Sequence, residues 1–156
     1  MTAHNGFRLT INGLVQGVGF RPTVWRIANG LGLHGSVFND AGGVVVELLA
    51  DETQRDRFIT ELHAQCPPLA RIDSLEFTGT VVTDPGSFVI SETQHGSVTT
   101  GCAPDAATCP QCRDELLDPS NRRFRYPFIN CTHCGPRLSI IRQIPYDRAT
   151  TTMAQF

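Results

Sequence analysis

An α+β fold of the split-βαβ, ferredoxin-like kind, followed by a small metal-held ribbon, is what this 156-residue sequence predicts. Three observations carry the prediction. Strand-type and helix-type hydrophobic periods alternate in the order βαββαβ over residues 5–92. A polar stretch, residues 93–105, reads as a linker. Two Cys-x-x-Cys pairs then follow, with eighteen residues between them.

The elements follow in order. Phe7, Leu9 and Ile11 alternate with Arg8, Thr10 and Asn12, the pattern of a half-buried strand. Gly13 to Gly19 is glycine-rich and reads as a loop. Pro22 suits the first turn of a helix, where its missing N–H costs nothing. Val24, Ile27, Ala28 and Leu31 then share one helical face, and Gly30 or Gly32 ends it. Residues 35–39 and 44–49 are strands around an Asp40-Ala41-Gly42-Gly43 turn. Asp51 caps a second helix with Phe58, Ile59, Leu62 and Cys66 inward, and Pro67-Pro68 stops it. Leu75, Phe77, Gly79 and Val81 alternate as a strand, as do Phe88 and Ile90, with Asp84-Pro85-Gly86 between them. The sum is four or five strands in one sheet with two helices on one face. Residues 106–156 show no sustained period and predict short strands and turns around the metal.

Composition sets the class. Apolar residues make up 40% and charged residues 18%, a globular balance. No apolar run approaches ~18 residues, and the first eight residues lack a signal-peptide pattern, so the chain reads as cytoplasmic. Net charge is −2, which gives no global argument for nucleic acid. Its distribution is uneven: six arginines face ten acidic residues up to position 93, and seven face five beyond it.

The segment Gly13-Leu14-Val15-Gln16-Gly17-Val18-Gly19-Phe20-Arg21 is the first with chemical content. A glycine-rich turn entering a helix presents successive backbone N–H groups, and the helix end adds positive potential. Gly17 and Gly19 let backbone close around a tetrahedral anion. Arg21 adds a planar fork of donors matched to phosphate oxygens. The bland alternative is an ordinary turn with a solvated arginine.

The whole string resembles the acylphosphatase signature, which it matches at every fixed position. Gly35-Ser36-Val37-Phe38-Asn39 is similar to that family's second motif. The resemblance implies phosphate binding by Gln16, Gly17, Val18, Gly19, Phe20 and Arg21, with Asn39 orienting the attacking water. Arg21 and Asn39 are then the catalytic residues, unless Asn39 is only a turn asparagine. The acidic residue that follows the asparagine in the family is shifted here within Asp40-Ala41-Gly42-Gly43. An acyl phosphate has a carboxylate leaving group, so no general acid is needed. Positioning and charge neutralisation suffice, and the hydrolytic step needs no cofactor.

Cys109-Pro110-Gln111-Cys112 and Cys131-Thr132-His133-Cys134 have the spacing of a four-thiolate zinc site. Closed coordination leaves no open position, so the zinc is structural, with a binding free energy of the order of 10 kcal/mol. A redox pair or free thiols are the alternatives. Cys102 is a competing ligand, and His133 is able to replace a cysteine. Cys66 reads as a buried helix residue. Arg122-Arg123-Phe124-Arg125-Tyr126-Pro127-Phe128 interleaves basic and aromatic residues, a pattern able to bind single-stranded nucleic acid. The competing reading is a strand with its aromatics beside the zinc and its arginines on Asp114, Glu115 and Asp118.

Pro104 to Pro110, Arg125 to Arg137 and Ile144-Pro145-Tyr146-Asp147-Arg148 together look like the amino-terminal region of the HypF carbamoyltransferase family. That resemblance implies a longer parent with a second ribbon and further domains, the present chain stopping where the second ribbon would begin. It implies carbamoyl phosphate as substrate, hydrolysed as the first step of carbamoyl transfer in nickel–iron hydrogenase maturation. The implied partners are the remaining domains and a protein with a carboxy-terminal Cys acceptor, with no membrane. The chain alone would not perform the overall transfer. Two other classes stay open: a nucleic-acid-binding ribbon on a ferredoxin-like scaffold, and a catalytically silent assembly module.

Overall fold

The computed structural model describes residues 3–92, 106–131, 134, 141–143, 147–152 and 154–155. Strands β1 (Ala3–Leu14), β2 (His34–Asn39), β3 (Val44–Leu49), β4 (Arg71–Thr83) and β5 (Phe88–Ile90) form one sheet in the order β4-β1-β3-β2-β5. Helices α1 (Phe20–Gly30) and α2 (Glu52–Ala64) connect β1 to β2 and β3 to β4. The βαββαβ order and the single sheet are as the sequence predicts. The predicted linker, residues 93–105, lies outside the described residues.

One apolar core joins the sheet to both helices. Leu9, Ile11, Val37, Val44, Val46 and Leu48 from the sheet meet Phe20, Val24, Ile27 and Ala28 of α1 and Phe58 and Leu62 of α2. All sit on one face because strand side chains alternate with period two. Cys66, expected as a buried helix residue, instead lies two residues past the end of α2, because the helix stops before the proline pair. It is half-buried on the rim of this core, and burial pushes its thiol pKa up. The second helix starts at a capping box: the Asp51 carboxylate accepts from the Gln54 amide at 2.8 Å, and Gln54 Oε1 accepts from the Asp51 amide at 3.0 Å.

The structure adds three details to this outline. The first helix begins at Phe20, so Pro22 lies in its first turn as the sequence predicts, and Gly19 in the left-handed region closes the loop ahead of it. The alternation in β4 does not mark a buried face: Phe77 and Val81 are exposed because β4 is an edge strand paired only to β1. Phe77 is covered in part by the Arg55 guanidinium of α2, 4.2 Å from its ring. The turn after β4 leads to β5, which pairs in parallel with β2 at the opposite edge. β1 and β4 run on past the end of β3, which pairs β1 only over Phe7–Ile11, and the link at residues 84–87 turns beneath it. There Asp84 Oδ1 accepts from the Gly86 amide at 2.7 Å and meets His34 Nδ1 at 2.9 Å. The Gly86 amide, then His34, hold the Asp84 carboxyl below its ordinary range.

One further expectation is corrected, in the cysteine segment. It carries a helix, α3 (Pro110–Leu117), where short strands and turns were predicted. Cys109 is its N-cap and Pro110 occupies its first turn, the position proline tolerates best. No helix among the described residues is long and apolar enough to cross a membrane.

Candidate functional site

The loop between β1 and α1 is pinned by its own apolar side chains. Val15, Val18 and Phe20 are buried in the core, while Gly17 and Gly19 adopt φ of 71° and 78°. That left-handed backbone is cheap only for glycine. No side chain caps the start of α1. Among the described residues, the amides of Gly17, Val18, Gly19 and Phe20 donate to no backbone carbonyl. A helix start with such amides is a ready anion site.

Gln16 does more than supply an amide. Its side chain is buried, and Nε2 donates to the carbonyl oxygens of Asp40 and Gly43, each at 2.7 Å. The loop is thereby tied to the β2–β3 turn. That turn is closed from within: Asp40 Oδ1 accepts from the Gly42 and Gly43 amides at 2.9 Å, and the Asp40 amide donates to the Gly43 carbonyl at 3.0 Å. The shifted acidic residue is therefore a turn cap. Gly43 has no room for a side chain, since a Cβ would run into the Ile11 carbonyl oxygen.

Asn39 is the last residue of β2 and pairs with Val44. It shares the helix-side face with Val37 and is buried. Among the described residues its Oδ1 accepts no hydrogen bond, a site that water or a ligand can complete. Arg21 is the second residue of α1. Its Nη1 lies 3.9 Å from Asp147 Oδ2, and its side chain is 16% exposed. The structure thus brings the glycine loop against the turn that follows Asn39, with Arg21 at the helix start. The side-chain role of Gln16 and the approach of Asp147 are the two features sequence reasoning missed. Gln16 carried a signal, a polar residue between buried valines; Asp147 carried none, because its contact spans most of the chain.

The four knuckle cysteines converge. The Sγ atoms of Cys109, Cys112, Cys131 and Cys134 all lie within 4.8 Å of one another. Three separations are 3.7 Å (Cys109–Cys131), 3.9 Å (Cys131–Cys134) and 3.8 Å (Cys112–Cys134). A tetrahedron with Zn–S bonds of ~2.3 Å has S···S edges of ~3.8 Å, so the residues fit a four-thiolate zinc. Burial, then the three neighbouring thiols, push Cys112 far up. For Cys134, burial is outweighed by hydrogen bonds from the Cys109 and Cys131 backbone and the Cys112 and Cys109 thiols, which hold it at about 7. The helix α3 start adds positive potential at the first knuckle. Cys102 and His133 lie outside the described residues.

Residues 122–125 form turns, not the strand of the competing reading. Arg123 pairs with Glu115 at 3.0 Å, as that reading required, and Arg125 lies over the Phe124 ring at 5.1 Å. The aromatics do not pack beside the metal site: Tyr126 and Phe128 are exposed, and Ile129 fills the cluster with the cysteines instead.

Comparison with known proteins matches two separate stretches of the chain. The acylphosphatase family model matches residues 7–90, and the HypF finger model matches residues 108–141. The chain is 48% identical to the carbamoyltransferase HypF of Rhizobium leguminosarum bv. viciae over 94% of its length, covering 19% of that protein. It is 48% identical to the Rhodobacter capsulatus HypF over 96% of its length, covering 20% of that protein. The chain thus spans about a fifth of the length of the curated relatives it matches. Among solved structures it is similar to full-length HypF in a phosphate- and nucleotide-bound form, with a TM-score of 0.91 and 41% identity. That match covers all of this chain and 21% of the other. It is also similar to the T. kodakarensis HypF, with a TM-score of 0.78 and 41% identity, over 98% of this chain and 19% of that one.

Proposed function

This chain belongs to the acylphosphatase family, and on that premise we propose that residues 5–92 hydrolyse the acyl phosphate bond of carbamoyl phosphate. The observation that carries the reading is the Gln16 brace. It holds a complete anion loop, ending in Arg21 at a helix start, against the turn that follows Asn39. The phosphoryl group is held by the Gln16 to Phe20 amides and Arg21. Asn39 orients a water in line. The water oxygen bonds to phosphorus as the bond from phosphorus to the bridging oxygen breaks. The electron pair leaves with carbamate, which needs no protonation, and the water's proton passes to solvent.

Zinc, held by Cys109, Cys112, Cys131 and Cys134, serves the fold of the finger and takes no part in the reaction. Its chemistry there is to neutralise four clustered thiolates and crosslink two distant turns. In a longer parent protein the released carbamate would feed carbamoyl transfer to a partner's carboxy-terminal Cys, in a cytoplasmic pathway of nickel–iron hydrogenase maturation. The HypF-type finger and the HypF relatives support that placement. The test is phosphate release from carbamoyl phosphate and from an aryl acyl phosphate by this chain, with and without Arg21→Ala. Release from both that vanishes in the variant is expected. No release above the uncatalysed rate would refute the reading.

A further inference from the structure

Asp40 follows Asn39 directly, at the start of the turn that joins β2 to β3. We propose that Asp40 is a positioning residue for the hydrolysis: through the turn it closes, it sets Asn39 against the anion loop. The inference rests on the hydrolytic reading above.

Asp40 engages its surroundings through three groups. Its Oδ1 accepts from the Gly42 and Gly43 amides, both at 2.9 Å. Its own amide donates to the Gly43 carbonyl at 3.0 Å. Its carbonyl accepts from Gln16 Nε2 at 2.7 Å. The first two contacts close the turn on itself, as a short acidic side chain can do from within a turn. The third ties that turn to the loop that enters α1.

The tie makes a geometric demand. A primary amide carries two N–H groups on one nitrogen. Gln16 Nε2 donates to the carbonyls of both Asp40 and Gly43 at 2.7 Å, so the two oxygens must converge on one atom. They converge while the chain between them stays folded back, and the Asp40 carboxylate folds it back by gripping the Gly42 and Gly43 amides. Gly43 is pressed against β1, where a Cβ would run into the Ile11 carbonyl oxygen, so the turn has no slack on that side.

Asn39 inherits this order. It is buried, it precedes Asp40, and it pairs with Val44, the residue after Gly43. The closed turn therefore spans the interval between Asn39 and its partner. A side chain that aims a water tolerates little displacement, since about 1 Å of misplacement can cost a hundredfold in rate. Asp40 need touch neither phosphate nor water to matter; it acts through the Gln16 tie and the backbone of Asn39.

The experiment measures kcat, KM and inhibition by inorganic phosphate, with benzoyl phosphate as substrate. It compares the whole chain with Asp40→Ala, Asp40→Asn, Gln16→Ala and the Asp40→Ala, Gln16→Ala double variant, each checked for folding by circular dichroism. Asp40→Ala should lower kcat about tenfold, part of the penalty for a misaligned group, with KM and phosphate inhibition little changed. An amide oxygen accepts the same two bonds, so Asp40→Asn should recover most of kcat. Because both residues act through one tie, adding Asp40→Ala to Gln16→Ala should lower kcat by less than about twofold more. A folded alanine variant with unchanged kcat would overturn the assignment and leave Asp40 a purely structural cap. So would an asparagine variant as slow as the alanine one, or full additivity with Gln16→Ala. If Asp40→Ala does not fold, Asp40→Ser carries the test, since a hydroxyl closes such turns more weakly. Its kcat should fall below that of the asparagine variant, and a kcat equal to that of the unmodified chain would overturn the assignment. An unmodified chain inactive on benzoyl phosphate would instead bring down the hydrolytic reading itself, before any Asp40 variant is made.

Discussion

Gln16 Nε2 donates to the carbonyl oxygen of Gly43 across 2.7 Å, in a buried bond between residues 27 apart in sequence. The same nitrogen donates to Asp40, so one amide group fixes the anion loop to the turn that follows Asn39. Gln16→Ala leaves two carbonyls without this donor. It should cost about 1–3 kcal/mol of stability, read from urea unfolding. Turnover should fall more than phosphate affinity, since the loop survives while its registration against Asn39 loosens.

Arg21→Ala should reduce hydrolysis by roughly two to three orders of magnitude, the scale for removing a principal electrostatic donor. Arg21→Lys should restore little, because a point charge does not reproduce a planar two-point grip. Steady-state rates with an aryl acyl phosphate measure both. Full activity in the lysine variant would mean that charge alone, without the fork, is what the site uses.

Asn39→Ala should lower turnover by roughly a hundredfold, the penalty for a misaligned attacking group. Inorganic phosphate should inhibit the variant as well as it inhibits the unmodified chain. Weakened phosphate inhibition with unchanged turnover would make Asn39 a binding residue and leave the water without an orienting group.

Removal of zinc should unfold the finger around Cys109, Cys112, Cys131 and Cys134 and release one metal ion per chain. Hydrolysis of an aryl acyl phosphate should be largely retained, because the apolar core of the sheet and two helices contains no finger residue. Metal content, circular dichroism and hydrolysis belong in one chelator titration. Aryl acyl phosphate activity that falls in step with bound zinc would show the two units to be coupled.

The legible parts of this molecule are those whose cause is local. The Gly13–Arg21 string, the Asp51 cap with Gln54 three residues on, and the two cysteine knuckles each encode their structure within a few residues. The core face of β1 was legible because apolar and polar residues alternate there, and β3 was legible as an apolar run, Val44, Val45 and Val46 all being buried. Position within the sheet was not. The apolar period in β4 looks the same at an edge as at the centre, yet Phe77 and Val81 are exposed because β4 has a neighbour on one side only. Helix α3 was missed because its first turn is a metal knuckle, where cysteine spacing masks any helical period. The Gln16 brace and the Arg21–Asp147 approach depend on loops brought together by the fold, which no local pattern specifies.

The central claim is that the Gly13–Arg21 loop holds a phosphoryl group while water attacks phosphorus. Hydrolysis of benzoyl phosphate in oxygen-18 water tests it most directly, because benzoate does not exchange its oxygens on the time scale of the assay. The account predicts one labelled oxygen in the phosphate per turnover and none in the benzoate. Label in the benzoate would place attack at the carbonyl carbon and contradict it.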